Sequence, residues 1–176
     1  MIPSEVDEYE FWGIIQKSGV VTPANLEEEI YYPTDVIQEY GHLAEGAIVK
    51  INHLDLPGVA EEDLAVGGIR QHKLHDDNLF VRGVIIRQLF ENFVETVSDQ
   101  QNSKIGVNFN DLVREVHAGN LALSAGLRAA YAPTDIHQNT VVHIDSINEV
   151  SFVQTPASPG SYAWKCDDQC TVVFGG

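Results

Sequence analysis

The chain has 176 residues, 44% of them hydrophobic, enough for one ordinary core and too few for two large domains. With 26 Asp and Glu against 10 Lys and Arg, its net charge of −16 repels phosphate backbones and anionic lipid, so neither nucleic acid nor a membrane is expected as a partner. No run approaches the roughly 18 apolar residues of a membrane span, and the acidic start MIPSEVDEYE is unlike a secretory leader, so a virion or cytoplasmic location is expected.

SEVDEYEFWGIIQKSG reads as a helix capped by Ser4 and closed at Gly19, with Phe11, Ile14 and Ile15 as its apolar stripe. Thr22, Pro23 and Pro33 bracket a second helix, and residues 35–40 form a third that closes at Gly41. GAIVKINHL, residues 46–54, reads as a strand, LPG as a turn and VAEEDLAVGG as a short acidic helix or loop. IRQHKL and LFVRGVII flank the turn-rich HDDN and form a hairpin over 69–86. Ile86, Leu89, Phe90, Phe93 and Val97 then recur at helical spacing.

KIGVNF alternates as a strand, and NDLVREVHAG runs as a helix from Asn110 to Gly119. From His117 to Pro133 there is no β-branched residue, which predicts a close-packing helix carrying Ser124 and Arg128. The last third is β-rich: NTVVHIDSI, EVSFVQT, SYAWKC and CTVVFGG, with PASPG as a turn. The expected architecture is a single α+β domain over 1–176, with an antiparallel sheet, helices packed on one face and short helices at the N-terminus. Within it, 1–45 is helical, 46–109 a hairpin plus amphipathic helix, 110–133 helical and 134–176 a β-meander.

The two cysteines, Cys166 and Cys170, are too few for a zinc site and too far apart for a CxxC pair. Alternation around them predicts two strands joined at Asp167-Asp168-Gln169, with the cysteines facing each other as buried thiols, or as a disulfide in an oxidising environment. His72, His75, Asp76 and Asp77 have the right types for a cation, but a strand would point the two histidines to opposite faces, so they read as a solvated hairpin tip. The carboxylate runs at 25–30 and 60–63 read as solvated faces. No phosphate loop or GxSxG is present; ALSAG is the nearest miss, with Ser124 lacking the first glycine and following no predicted strand.

His53-Leu54-Asp55, then His117, then Arg128 stand in the order in which iron and 2-oxoglutarate oxygenases place two metal ligands, a distant histidine and a cosubstrate arginine. HAGN with Ser124 and Arg128 resembles that family's second-ligand segment, and the resemblance implies Fe(II) at His53, Asp55 and His117. The helical composition of the segment argues against the strand that family uses there, which ranks the oxygenase second, beside a small acidic ligand-binding module. The leading expectation is a non-enzymatic assembly subunit without cofactor, a ring-forming virion component such as a bacteriophage tail-neck or tail-terminator protein. Its partners would be itself, as a homo-oligomer, and neighbouring structural proteins. Contacts are expected from Phe11 and Trp12, the hairpin tip His75, Asp76, Asp77 and Asn78, and the terminal Val172 and Phe174, with Trp12 and Trp164 as aromatic anchors.

Overall fold

In a computed structural model, residues 6–22, 28–103, 106–134, 137, 139–154 and 161–175 are described. Their order is β1 (Glu8–Lys17), β2 (Gly19–Val21), β3 (Ile30–Tyr32), α1 (Thr34–Tyr40), β4 (Ile48–Ile51), β5 (Gly67–His75), β6 (Asn78–Ile86) and α2 (Arg87–Gln101). Then come α3 (Phe109–His117), β7 (Ala122–Ala132), β8 (Thr140–Val153), β9 (Ala163–Lys165) and α4 (Asp168–Phe174). Short 3-10 turns cover Gly41–Ala44 and Glu61–Leu64.

One mixed sheet contains all nine strands, in the order β2-β3-β8-β4-β5-β6-β1-β9, with β7 also on β8. The expected all-antiparallel sheet is corrected here: β8 runs parallel to both β3 and β4. The sheet curls back on itself through its last strand. While β9 pairs with β1, the backbone just before it bonds β7's start, with Leu123 N–H donating to Ser161 O and Ala163 N–H to Leu121 O.

Inside the curl lie Phe11, Val49, Val66, Val81, Leu123, Val150 and Phe152, all buried. Phe11 packs edge-on against Phe152, ring centroids 4.9 Å apart. A second cluster on the outer face holds Trp12, Ile14 and Phe80 under α4 and Cys170. Strand β1 therefore buries both of its faces, which is why its apolar run imitates a helical stripe. The predicted N-terminal helix over 4–19 is a strand from Glu8; of the predicted second helix, residues 23–27 lie outside the described residues and Ile30–Tyr32 is the strand β3.

Three further expectations change. The segment predicted as a helix after His117 is the long strand β7, paired with β8 along nearly all its length. Residues 104–105 of the predicted strand KIGVNF lie outside the described residues, and the rest is not a strand: Val107 is exposed and Phe109 opens α3, whose Asn108 caps Asp111 N–H in a capping box. At the C-terminus, CTVVF is helical because Asp167 accepts from Gln169 N–H and Cys170 N–H and starts α4. That turn brings Cys166 and Cys170, Cα atoms 5.1 Å apart, into a disulfide in place of the expected thiols.

Candidate active site

Side chains alternate across a strand, so the residues between the core positions of β4, β7 and β8 all point to the outer face. They are Lys50, Ser124, Gly126, Glu149 and Ser151. The register aligns them: Ser124 stands opposite Ser151, Gly126 opposite Glu149, and Lys50 beside Ser151 on the parallel side. Of the seven buried polar or charged side chains among the described residues, four are Lys50, Ser124, Glu149 and Ser151. Burying polar groups costs free energy unless they are paired, so this concentration marks a constructed site.

The loop after β4 covers that face. Asn52 and His53 both take left-handed backbone, each with φ of 53°, a conformation uncommon for residues with a side chain. The turn delivers His53 onto β8. Its backbone N–H donates to Ser151 Oγ at 3.0 Å, and its Nδ1 meets Glu149 Oε1 at 2.5 Å. Ser151 Oγ in turn donates to Glu149 Oε2 at 2.6 Å. The side chain of His53 is 39% exposed, and its Nδ1 is the atom on Glu149.

Burial pushes the Glu149 carboxyl up, but hydrogen bonds from His53 and Ser151 and the charges of His53 and Lys50 outweigh it and hold the group below its ordinary 4.5. A depressed carboxyl contributes stability above the ordinary value that is lost as pH falls through the folded one. The stability advantage of wild type over Glu149→Gln should therefore narrow as urea melts are run from about pH 7 down to about pH 3. An advantage constant over that range would mean Glu149 is not held ionised by its partners.

Glu149 also lies against the backbone of β7. A Cβ on Gly126 would sit 2.9 Å from Glu149 Cγ and Oε1. Gly126→Ala should thus fold, displace the carboxylate from His53 and cut any turnover that depends on the pair roughly 10- to 100-fold. Turnover within twofold of wild type would show that the carboxylate's place does not matter.

A cleft of about 680 Å³ opens beside the site, lined by Lys50, Asp55, Glu61, Arg128, Glu149 and neighbours. Lys50 Nζ is tied to Asp55 at 2.7 Å and Glu61 at 2.9 Å. Arg128, exposed on β7, has no ion-pair partner among the described residues.

The residues singled out as an iron site are dispersed. His53 is on Glu149, Asp55 is on Lys50, and His117 Nδ1 is on Tyr9 Oη at 3.0 Å. Among the described residues no group of three His, Cys, Asp or Glu could hold a metal ion. His72 faces Glu45, and His75, Asp76, Asp77 and Asn78 form the β5–β6 tip. Phe11 is in the core and Trp12 lies beneath α4, with Phe174 edge-on to it, while Val172 is exposed. Glu61, read from sequence as part of a solvated run, holds Lys50. Glu149 and Ser151 were missed, although a carboxylate inside the apolar run INEVSFV is a signal of a paired buried charge.

Solved structures resemble this arrangement of strands. A crystal structure of Kaposi's sarcoma-associated herpesvirus protease in complex with a dimer disruptor matches with a TM-score of 0.50 and 19% identity, covering 94% of this chain and 80% of that one. The same protease in complex with a hexapeptide phosphonate inhibitor gives 0.49 and 20% identity, covering 88% and 64%. The bacteriophage T4 capsid assembly protease gives 0.42 and 8% identity, covering 84% and 99%. No protein-family model and no curated protein sequence matches the chain.

The first likeness establishes a single-domain mixed α/β fold with a curled sheet and, among the described residues, four helices. The expectation of helices packed on one face finds no support in it, and of the three short N-terminal helices expected, the described residues contain the third, as α1. The likeness also overturns the leading functional expectation, because the shared fold is that of a viral protease, where a non-enzymatic tail-neck or tail-terminator subunit was expected. The oxygenase falls with the same finding and with the dispersal of its ligands. The herpesvirus protease neighbour is described in complex with a dimer disruptor, which is said of that protein. Among the described residues, no helix is long and apolar enough to cross a membrane.

Proposed function

We propose that this chain is a serine peptidase in which Ser124 is the nucleophile, His53 the general base and Glu149 the residue that orients the base. The observation carrying this reading is the Glu149–His53 pair bonded through Nδ1, with Ser124 on the same face of β7, opposite Ser151 and two residues before Gly126, the residue that faces Glu149. A carboxylate on Nδ1 fixes the tautomer that leaves Nε2 free to take a proton, and it stabilises the imidazolium that follows. Ser124 Oγ then attacks the scissile carbonyl carbon, its proton passes to His53, and the imidazolium returns the proton to the departing amine. Water repeats the sequence on the acyl-enzyme ester, releasing the acid and regenerating Ser124.

Ser151 is the competing serine, and its bonding argues against it. It is wholly buried, and its Oγ already accepts from His53 N–H and donates to Glu149. Ser124 Oγ makes no hydrogen bond to another described residue. Arg128 is the cleft cation without a carboxylate partner among those residues, and is the group there able to oppose charge developing on a substrate carbonyl. The experiment is active-site labelling with a fluorophosphonate, read by intact mass and peptide mapping. The expected adduct is on Ser124 and is lost in His53→Ala; a folded protein that stays unlabelled would sink the peptidase reading.

A further inference from the structure

Lys50 is a charged residue in the middle of a strand, 2% exposed, directly beside Ser151. A lysine so placed needs a reason, since its ammonium has left water. Its two partners lie on separate covering segments: Asp55 in the loop that carries His53, and Glu61 at the start of the 3-10 turn Glu61–Leu64. Both carboxylates reach in from the surface, with side chains 73% and 56% exposed. The segment between Lys50 and Asp55 contains the two left-handed residues, Asn52 and His53. Such backbone persists where surrounding contacts over-determine it. The contacts here are His53 N–H on Ser151, His53 on Glu149 and, two residues further on, Asp55 on Lys50.

We propose that Lys50 is a positioning residue which, by clamping Asp55 and Glu61 onto the outer face of the sheet, holds the loop in the turn that seats His53 on Glu149 and Ser151. Its catalytic consequence rests on the peptidase reading; its structural consequence does not. Burial works against the ammonium, and the bonds from Asp55 and Glu61 overcome it, so the Lys50 pKa is raised and the clamp stays charged. Lys50 also lies among the groups that hold the Glu149 carboxyl down. The charged groups around Glu149 are His53, Asp55, Glu61 and Glu62 from the covering segments, Lys50 from β4 and Arg128 from β7.

The test pairs Lys50→Met with the double variant Asp55→Asn, Glu61→Gln, whose amides keep the size of both side chains and an oxygen able to accept from Lys50 Nζ while removing their charge. Either should lower kcat roughly 10- to 100-fold with KM little changed, and shift and broaden the His53 ring resonances in NMR spectra. The acid limb of the kcat profile should separate the two. Removing the ammonium moves it to higher pH, and removing the two carboxylates moves it to lower pH, a split that a purely structural loss would not give. His53 resonances that superimpose on wild type in both variants overturn the proposal, whatever turnover does. If Lys50→Met fails to fold, the double variant decides alone. If wild type neither labels nor cleaves, the peptidase reading fails, and the His53 resonances still judge the clamp.

Discussion

Ser124→Ala is expected to lower kcat/KM for a cleavable peptide by about 10⁴-fold or more while leaving the melting temperature within about two degrees of wild type. The fold should not notice the change, because Ser124 Oγ bonds no other described residue and alanine keeps the Cβ. His53→Ala should cost about as much, and the double variant no more than either, since a nucleophile and its base act as a unit. Ser151→Ala should differ in kind. It removes the acceptor of His53 N–H and a donor to Glu149, so it should cost stability, about 1–2 kcal/mol, as well as rate, and should still take the phosphonate on Ser124. Labelling that survives in Ser124→Ala and vanishes in Ser151→Ala would reverse the assignment of the two serines.

What sequence reasoning could see follows from which elements are locally determined. The β5–β6 hairpin was legible because Asp76 and Asp77 tolerate the positive φ of 49° and 62° that a two-residue turn needs. The helix α2 was legible because Phe90, Phe93 and Val97 are its buried stripe. Strand β7 was not, for its alanines and leucines prefer helix, and it is a strand only through pairing with β8, which brings Val141, Ile144, Ile147 and Val150 to the core. That one error hid the site: on a helix Ser124 has no relation to Ser151, and on a strand it stands opposite. His53 drew notice for its spacing to Asp55, whereas its partner is 96 positions away on β8. No local pattern encodes a parallel β4–β8 register, so the pairing of Lys50 with Ser151 and of His53 with Glu149 had to come from the tertiary structure.

The seam that closes the sheet should be its most sensitive point, and Gly13 is the residue that permits it. In β1, Gly13 pairs with Val81 on one side and Ala163 on the other. A Cβ there would lie 2.3 Å from Tyr162 O, 2.8 Å from Leu123 Cδ1 and 3.0 Å from Ala163 Cα. Two of these atoms are backbone and cannot swing aside. Gly13→Ala must therefore push residues 162–163 away from β1, straining Ile14 N–H to Tyr162 O and, across the seam, Leu123 N–H to Ser161 O. The expected loss is roughly 3 kcal/mol, the range of severe steric and hydrogen-bond defects. For a chain of this size that is a fall in melting temperature of about 10 °C. Because Leu123 precedes Ser124, any fraction that remains folded should also label more slowly. A melting temperature within about two degrees of wild type would mean that β1 and the 161–163 backbone do not meet, and the sheet would then be open where it is described as closed.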